Sequence, residues 1–369
     1  MRFRMTCNGG FEACCAGEVA ALGGKPAGQG KGFVLAEGPY QFMYVLNRFG
    51  RTFDRVFIEM TSANVASEDV VSELLAGCDL GLLGHVSSVT LGADEFVSRI
   101  RPRWITQLSS ILPRKLGSEG KIRMVRGRSD VSLSLSVDGQ RVSLYADTTG
   151  ESLNFREYRV YNHPSSIRPT LAASLAILAK PQGGVLYDPF CGGGTILIEA
   201  ALMSSANPTH FRRGYKYQRF VDFDPKVENL ARPAKAAIPG FETIMGTDIN
   251  GVHLKGCRKN LMAARLPDVV VALGDSTKTV LTKKADVIVT NPPYGVKGAK
   301  LNRVSLLNSR FLENLPNTLK EGGRAVVLTS DFESFKRLLK AKVFRLEDVA
   351  RTLHGHLWVE GIAFSLIAS

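Results

Sequence analysis

The segment Gly184-Val-Leu-Tyr-Asp-Pro-Phe-Cys-Gly-Gly-Gly-Thr195 is a short apolar strand that runs through three glycines directly toward a helix. Four further apolar segments follow it, with predicted helices over 196–203 and 254–264 among them. These segments cover residues 243–248, 269–273, 286–290 and 324–329. Strands that are apolar at every position and alternate with helices are typical of a parallel sheet covered on both faces. The sequence therefore predicts a doubly wound α/β domain of the Rossmann type over residues 161–369.

The three glycines from Gly192 to Gly194 lie just beyond Asp188, at the strand end where parallel sheets bind their ligands. Glycine has no Cβ, so the backbone can approach a ligand closely at these positions. The loop lacks the lysine of the P-loop pattern, and Leu197 stands where the dinucleotide pattern needs its third glycine. We therefore expect a nucleoside without a recognised phosphate, and an ordinary glycine-rich turn is the alternative.

Two acidic residues at the ends of the next strands suit such a ligand. Asp248 can accept hydrogen bonds from both ribose hydroxyls, and Asp275 lies where an adenine amine would sit. An ionised carboxylate only accepts hydrogen bonds, so it matches diol and amine donors and repels phosphate. Each acid taken alone is more often a helix cap or a surface charge. Their order after successive strands favours the nucleoside site.

The motif Asn291-Pro-Pro-Tyr-Gly295 follows the strand at 286–290 directly. It resembles the loop of class I S-adenosylmethionine-dependent methyltransferases that modify planar nitrogens, and the resemblance implies an exocyclic amine on an aromatic ring as the target. Such an amine is a poor nucleophile, because its lone pair is delocalised. The side-chain oxygen of Asn291 and the carbonyl of Pro292 can accept its two N–H bonds. Pro292 and Pro293 fix φ at about −65° and hold that carbonyl in place. Tyr294 offers a face on which a flipped base can stack, and a structural Pro-Pro turn is the alternative.

Adenine N6, guanine N2 and glutamine N5 methyltransferases use similar loops, so the motif alone leaves the target open. Such enzymes need no catalytic His or Cys, because positioning and a charged leaving group do most of the work.

The first 160 residues alternate short strands and helices of α+β character, and Asp138-Gly139 between two alternating strands predicts a hairpin. Residues 147–153 and 158–172 resemble the junction between a THUMP domain and its methyltransferase domain, although the intervening motif has drifted from the family form. The opening segments 6–13 and 19–24 resemble the ferredoxin-like domain that precedes THUMP. The resemblance implies a ferredoxin-like domain over 1–62, a THUMP RNA-binding domain over 63–160 and a methyltransferase domain over 161–369.

The chain as a whole is similar to the THUMP-containing RNA guanine-N2 methyltransferases, and most similar to the tRNA guanine-6 enzymes of archaea and bacteria. That resemblance implies S-adenosylmethionine as the cofactor and the N2 amine of guanine 6 in the tRNA acceptor stem as the target. Methylation of large-subunit rRNA, or a non-catalytic role in RNA binding or assembly, is the alternative. The implied cofactor residues are Asp188, Phe190, Gly192, Gly194, Asp248, Asp275 and Thr170. The implied catalytic residues are Asn291, Pro292, Pro293 and Tyr294, with no metal.

The net charge of +13 favours a polyanionic partner. Residues 96–128 hold nine basic residues against one acid, together with Trp104, which predicts a surface that grips RNA phosphates. A solvated basic face is the alternative. The predicted RNA contacts are Arg99, Arg101, Arg103, Arg114, Lys115, Lys121 and Arg123. A second basic and aromatic segment at 211–220 would either steady the RNA or form a surface hairpin.

The remaining composition excludes several other classes. A length of 369 residues suggests two or three globular domains, and no apolar run is long enough to predict a membrane helix or a secretory signal. The six cysteines form no C-x-x-C pair and show no ligand spacing with the six histidines. We therefore expect reduced thiols, no metal, a cytoplasmic location and a monomer that binds tRNA.

Overall fold

The computed structural model describes residues 1–67, 69–93, 102–119, 122–210, 212–294, 299–340 and 344–367. The strands are β1 (Arg2–Cys7), β2 (Lys25–Gly30), β3 (Phe33–Glu37), β4 (Phe53–Asn64), β5 (Ser88–Ala93), β6 (Arg123–Met124), β7 (Val131–Asp138), β8 (Arg141–Asp147), β9 (Val185–Asp188), β10 (Thr243–Asp248), β11 (Val270–Leu273), β12 (Ala285–Thr290), β13 (Leu319–Thr329), β14 (Phe344–His354) and β15 (Leu357–Leu366). The helices are α1 (Glu12–Leu22), α2 (Phe42–Phe49), α3 (Val70–Ala76), α4 (Pro102–Glu119), α5 (Pro169–Leu178), α6 (Thr195–Ser204), α7 (Pro225–Leu230), α8 (Gly251–Ala263), α9 (Ala299–Asn314) and α10 (Phe332–Lys340). Short 3₁₀ turns cover Leu80–Leu83, Lys216–Arg219 and Leu315–Asn317.

The N-terminal half is built on one sheet with the strand order β2-β3-β1-β4-β8-β7-β5-β6. Strand β4 pairs with β1 along its first residues and with β8 from Phe57 to Asn64. The domain boundary expected between residues 62 and 63 therefore falls inside β4, and the two modules share a single sheet. The predicted hairpin is confirmed, since Asp138 pairs with Arg141 across the turn and Gly139 has a φ of +59°.

The basic segment at 96–128 contains the helix α4, which the sequence analysis did not predict. Its apolar side chains recur every four residues and lie along one buried face, as expected for a helix that covers a sheet. These side chains are Trp104, Leu108, Leu112 and Leu116. Trp104 therefore belongs to the core of the N-terminal half and not to the RNA-binding surface with which the sequence grouped it.

The C-terminal half is built on a sheet with the strand order β11-β10-β9-β12-β13-β15-β14. The first five strands of this order are parallel, whereas β15 and β14 form an antiparallel hairpin at one edge. The predicted doubly wound domain is confirmed, with a mixed rather than wholly parallel sheet. Strand β11 lies at the other edge, where Val270 is 53% exposed and Leu273 is 69% exposed. The apolar sequence of 269–273 predicted a strand covered on both faces, and that prediction is wrong for β11.

The order of the strands reverses between β9 and β12. From β9 the chain moves outward to β10 and β11, then returns to place β12 and β13 on the other side of β9. A crevice opens at such a reversal, because the connections on its two sides lead away from each other. Asp188 ends β9 and Asn291 follows β12, so both predicted motifs lie at this point.

A buried ionic cluster joins the two halves around Glu199 of α6. The guanidinium of Arg51 lies 3.1 Å from the Glu199 carboxylate, and the Nε of Arg156 donates to it at 2.9 Å. The hydroxyl of Tyr158 donates to the same carboxylate at 2.7 Å. All four side chains are buried. Buried charges of this kind need their partners, because an unpaired charge in the interior is costly.

The segment after α6 crosses back onto the N-terminal half. Tyr217 is buried there, with its ring centroid 5.0 Å from that of Tyr44. The ammonium of Lys216 donates to the carbonyl of Ser129 at 3.0 Å, and Arg219 pairs with Asp130 at 3.3 Å. The described part of the 211–220 segment, residues 212–220, is not an exposed hairpin, the alternative that its sequence left open, because buried aromatic residues anchor it in the N-terminal core.

The six cysteines are free and buried. Among the described residues, no group of His, Cys, Asp and Glu side chains has the arrangement of a metal site. In that same part of the chain, no helix combines the length and the apolar character needed to cross a membrane.

Candidate active site

A cavity of about 400 Å³ lies at the carboxyl ends of β9, β10 and β12, at the reversal of strand order. Residues from both predicted motifs line it together. They are Asp188, Phe190, Gly192, Asp248, Asp275, Asn291, Pro292, Pro293 and Tyr294. The fold thus brings the expected cofactor residues and the expected base-binding loop into one cavity.

The glycine loop forms one wall of the cavity. Gly192 has a φ of +51°, and its N–H donates to the Asp248 carboxylate at 3.0 Å. Gly194 has a φ of +81° and precedes α6, where a Cβ would lie 2.5 Å from the sulfur of Cys257. Gly194 is therefore needed for close packing against α8. The resemblance implied that Gly194 contacts the cofactor, but this residue does not line the cavity.

Asp188 lies between the two central strands of the sheet. Its carboxylate accepts hydrogen bonds from the hydroxyl of Thr290 at 2.6 Å and from the N–H of Phe190 at 3.1 Å. The side chain is fully buried, and burial raises the pKa of Asp188 to about 7. A positively charged group in the cavity would favour the ionised form of this carboxyl, because opposite charges stabilise each other.

Asp248 and Asp275 line the cavity and also hold their own loops. Asp248 accepts the N–H of Asn250 at 2.8 Å with one oxygen and the N–H of Gly192 with the other. Asp275 accepts the N–H and the hydroxyl of Thr277 at 2.9 and 2.7 Å, and these bonds lower the pKa of its carboxyl. Each carboxylate oxygen has two lone pairs, so these turns leave acceptor capacity for a ligand.

The loop after β12 presents Asn291 and Tyr294 to the same cavity. The amide nitrogen of Asn291 donates to the carbonyl of Ser165 at 3.5 Å, which directs its side-chain oxygen to the opposite side. That oxygen accepts a hydrogen bond from the hydroxyl of Tyr294. The Tyr294 side chain is largely buried, and burial raises the pKa of its hydroxyl.

Thr170 does not line the cavity, so the structure does not place it where the resemblance implied a contact with the cofactor. Its hydroxyl donates to the carboxylate of Asp54 at 3.2 Å and accepts from the amide of Asn8 at 3.3 Å. Arg168 holds the cap position of α5 and Pro169 begins the helix, so Thr170 is its second residue. Proline suits the first position of a helix, since its missing N–H would have no helical partner. Thr170 instead joins the two halves of the chain.

The segment that connects the two halves supplies a wall of the cavity that the sequence did not predict. His163, Ser165, Ser166 and Ile167 of this segment line the cavity, and so does His253 of α8. The segment has no helical or strand periodicity, so no pattern signalled this role. The only signal was the presence of two polar, hydrogen-bonding residue types next to a proline at the domain junction.

Two imidazole rings meet in this wall. The rings of His163 and His253 contact each other edge to face, with their centroids 4.1 Å apart. The hydroxyl of Tyr161 lies 2.8 Å from Nδ1 of His253. Burial lowers the pKa of His163, and the neighbouring His253 lowers it further. Both effects favour the neutral form of His163 beside the glycine loop.

The basic residues predicted to contact RNA have different surroundings. Arg103 and Arg114 on α4 are exposed, and so is Arg123 on β6. The ammonium of Lys115 instead donates to the carbonyl oxygens of Leu75 and Cys78, so it holds the end of α3. Arg99, Arg101 and Lys121 lie outside the described residues.

Comparison with known families gives two matches along the chain. The family described as RMKL-like, methyltransferase domain (UPF0020) matches residues 156–360. The RlmL ferredoxin-like domain matches residues 2–57. The first match contains every residue of the cavity described above.

Comparison with characterised relatives gives full-length similarity at modest identity. The tRNA (guanine(6)-N2)-methyltransferase of Methanocaldococcus jannaschii is 26% identical, over 97% of this chain and 98% of that protein. The enzyme of the same name from Archaeoglobus fulgidus is 26% identical, over 91% and 84%. Ribosomal RNA large subunit methyltransferase K/L of Desulfotalea psychrophila is 27% identical over 84% of this chain, which spans 45% of that protein.

Solved structures share the fold over the whole chain. A "possible methylase" of Clostridium difficile 630 superposes with a TM-score of 0.80 at 21% identity, covering 100% of this chain and 98% of that one. SMU.472, solved in complex with SAH, gives a TM-score of 0.76 at 22% identity, with 100% and 98% covered. TrmN from Thermus thermophilus gives 0.72 at 21% identity, with 99% of each chain covered.

Proposed function

Because this chain belongs to the RMKL-like methyltransferase family, we propose that it methylates the exocyclic N2 amine of a guanine in tRNA, at position 6 of the acceptor stem. The methyl donor is S-adenosylmethionine. The observation that supports the proposal is one cavity lined by Asp248 and Asp275, the two acids suited to a nucleoside, and by the Asn291-Pro-Pro-Tyr294 loop. The full-length similarity to two archaeal tRNA (guanine(6)-N2)-methyltransferases supports the choice of substrate.

The residues of the cavity fit the cofactor. Asp248 and Asp275 offer carboxylate oxygens to a ribose diol and an amine, and the glycine loop lets a ligand approach the backbone. Asp188 lies at the reversal point as a buried carboxyl that a cation would ionise. These residues would hold the adenosine and methionine parts of the donor. When bound, the cofactor supplies a methyl group on a positively charged sulfur.

The chain itself contributes orientation rather than acid–base catalysis. The side-chain oxygen of Asn291 and the carbonyl of Pro292 accept the two N–H bonds of the target amine, which aims the nitrogen at the methyl carbon. With the donor bound, the amine nitrogen would take the methyl group from the sulfur and release one proton to water, while Asn291 and Pro292 hold that nitrogen in place. Holding the two reactants in line supplies most of the acceleration in a transfer of this type.

We propose that RNA lies across both halves of the chain. The exposed guanidinium groups of Arg103, Arg114 and Arg123 would contact phosphates, which fix the position of the RNA without reading its sequence. The THUMP role of residues 63–160 is part of this proposal. We further propose that the protein acts as a monomer in the cytoplasm, in keeping with its free, buried cysteines.

The test is a transfer assay with a labelled methyl donor and an unmodified tRNA transcript. Label should enter the RNA as N2-methylguanine and map to position 6. A transcript in which adenine replaces that guanine is the matched control and should take up no label. Preferential labelling of a large-subunit rRNA fragment would replace tRNA as the substrate. Absence of transfer to any RNA, together with absence of cofactor binding, would contradict the enzyme function altogether.

A further inference from the structure

Asn260 is a buried amide on α8 that none of the roles described above uses. Its side chain is 2% exposed, and it does not line the cavity. The amide nitrogen donates to the carbonyl of Gly193 at 2.8 Å and to the carbonyl of Tyr161 at 3.0 Å. The amide oxygen accepts the N–H of Tyr161 at 2.8 Å. Both ends of the amide are therefore engaged with backbone.

These three hydrogen bonds join two separate walls of the cavity. Gly193 belongs to the glycine loop, and Tyr161 begins the connecting segment, of which His163, Ser165, Ser166 and Ile167 line the cavity beside that loop. The ring of Tyr161 also packs directly on Gly256 of α8, where a Cβ would lie only 2.2 Å from the ring. Helix α8 thus holds the connecting segment by an aromatic contact and holds the glycine loop through the amide.

We propose that Asn260 is a positioning residue that sets the spacing between the glycine loop and the connecting segment, and thereby the affinity for the cofactor. The inference rests on the proposed function, since it takes this cavity to be the cofactor site. Asn260 does not itself line the cavity and acts on it only through the backbone of Gly193 and Tyr161. Its loss should therefore weaken binding of the cofactor and leave the rate of methyl transfer at saturating cofactor nearly unchanged.

The experiment compares four full-length proteins by calorimetric titration with S-adenosylhomocysteine and by steady-state kinetics. They are the wild type, Asn260→Ala, Asn260→Asp and the control Lys259→Ala. Lys259 is the exposed neighbour of Asn260 on the same helix, so its substitution tests for general effects on α8. Asn260→Ala removes all three hydrogen bonds. Asn260→Asp keeps the acceptor for the N–H of Tyr161 and loses the donor to both carbonyls.

Both Asn260 variants should bind S-adenosylhomocysteine about tenfold or more weakly than the wild type, because buried carbonyls lose their donor. KM for S-adenosylmethionine should rise by the same factor, while kcat stays within about twofold. The control should match the wild type. Thermal unfolding of each protein shows whether the variants remain folded, and Asn260→Asp serves where Asn260→Ala does not fold.

The outcomes separate this inference from the proposed function. A wild type that fails to bind S-adenosylhomocysteine contradicts the proposed function. A wild type that binds, with Asn260 variants that bind equally well, overturns only the role of Asn260. A fall in kcat at unchanged KM also overturns it, since the effect would then lie in the transfer step. Failure of both variants to fold would assign Asn260 to maintenance of the fold instead.

Discussion

The hydroxyl of Tyr294 donates its hydrogen bond to the side-chain oxygen of Asn291, three residues before it in the chain. That oxygen is the acceptor expected to receive an N–H bond of the target amine. The tyrosine therefore takes one of the two lone pairs of this oxygen, and an entering base competes with its hydroxyl for the same acceptor.

Substitutions at Tyr294 should separate its ring from its hydroxyl. Tyr294→Phe keeps the stacking face and removes the competing donor, so kcat/KM for RNA should stay within about threefold of the wild type. Tyr294→Ala removes the stacking face, and kcat/KM should fall about 10- to 100-fold, since stacking of a base on an aromatic ring contributes about 1–3 kcal/mol. The measurement is initial rate against RNA concentration at saturating cofactor. An equal loss in both variants would show that the hydroxyl, and not the ring, is what the reaction needs.

Asn291→Ala should abolish methyl transfer while preserving the affinity for the cofactor. The alanine cannot accept an N–H bond of the target amine, and loss of one well-placed hydrogen-bonding partner lowers kcat by about 100-fold or more. Single-turnover transfer and calorimetric titration with S-adenosylhomocysteine measure the two effects separately. Asn291 would have no such role if both quantities fell by the same factor.

The buried carboxyl of Asp188 should give the stability of the protein a distinct pH dependence. Its pKa is about 7 in the folded protein, against an ordinary value of 3.8. Between these values the folded state retains a proton that the unfolded state has released. The contribution of this group to stability therefore falls as pH rises from about 4 to about 7, and is constant above that range.

Asp188→Asn removes this titration and keeps an oxygen that can accept from Thr290. The free energy of unfolding of the variant, relative to the wild type, should rise with pH between about 4 and 7 and then level off. Urea unfolding at several pH values across this range provides the comparison. A difference that stays constant with pH would show that Asp188 is ionised throughout in the folded protein.

Glu199→Ala should destabilise the whole protein strongly. The substitution leaves the guanidinium groups of Arg51 and Arg156 buried without their carboxylate, and removal of one partner from a buried ion pair costs about 3–5 kcal/mol. The control is Lys283→Ala, which removes an exposed pair with Glu242 and should cost at most about 1 kcal/mol. Urea unfolding measures both. Similar losses of unfolding free energy in the two variants would mean that the buried cluster contributes no more to stability than an exposed ion pair.

The exposed arginines of α4 should govern the salt dependence of RNA binding. In the double variant Arg103→Ala/Arg114→Ala, the slope of log affinity against log salt should shrink by about 0.7–0.9 for each phosphate that the protein no longer neutralises. Lys25→Ala is the control, because Lys25 is exposed on β2 at the far edge of the same sheet. Binding is measured by filter retention of labelled tRNA at a series of salt concentrations. An unchanged slope would place the RNA on another surface.

The sequence predicted the catalytic half well because its signals are local. Apolar strands and a glycine loop mark β9, and consecutive prolines mark the loop after β12, so these positions could be assigned without tertiary information. The contribution of His163 to the cavity could not be predicted from local sequence, since it depends on how the connecting segment packs on α8. Thr170 was misplaced because proximity in sequence to the first strand does not show which way a helix turns its side chain.

The basic segment shows a different limit. Its charges predicted an exposed surface. The four-residue spacing of Trp104 and Leu108 is typical of a helix with one buried face, and this helix orients the charges. A count of basic residues also cannot distinguish Arg103, which is exposed, from Lys115, whose ammonium caps carbonyls inside the fold.

Strand β4 has a consequence for the kind of RNA that the protein accepts. It is one unbroken strand whose first part pairs with β1 and whose second part pairs with β8, so bending the chain between the two modules would break main-chain hydrogen bonds. The Glu199 cluster fixes the same frame to the catalytic half. The distance between the proposed RNA-binding surface on α4 and the cavity is therefore fixed. We predict that the protein selects an RNA by the distance between the end bound on α4 and the guanine presented to the cavity, so lengthening the intervening stem by one base pair should move methylation to a neighbouring residue or stop it.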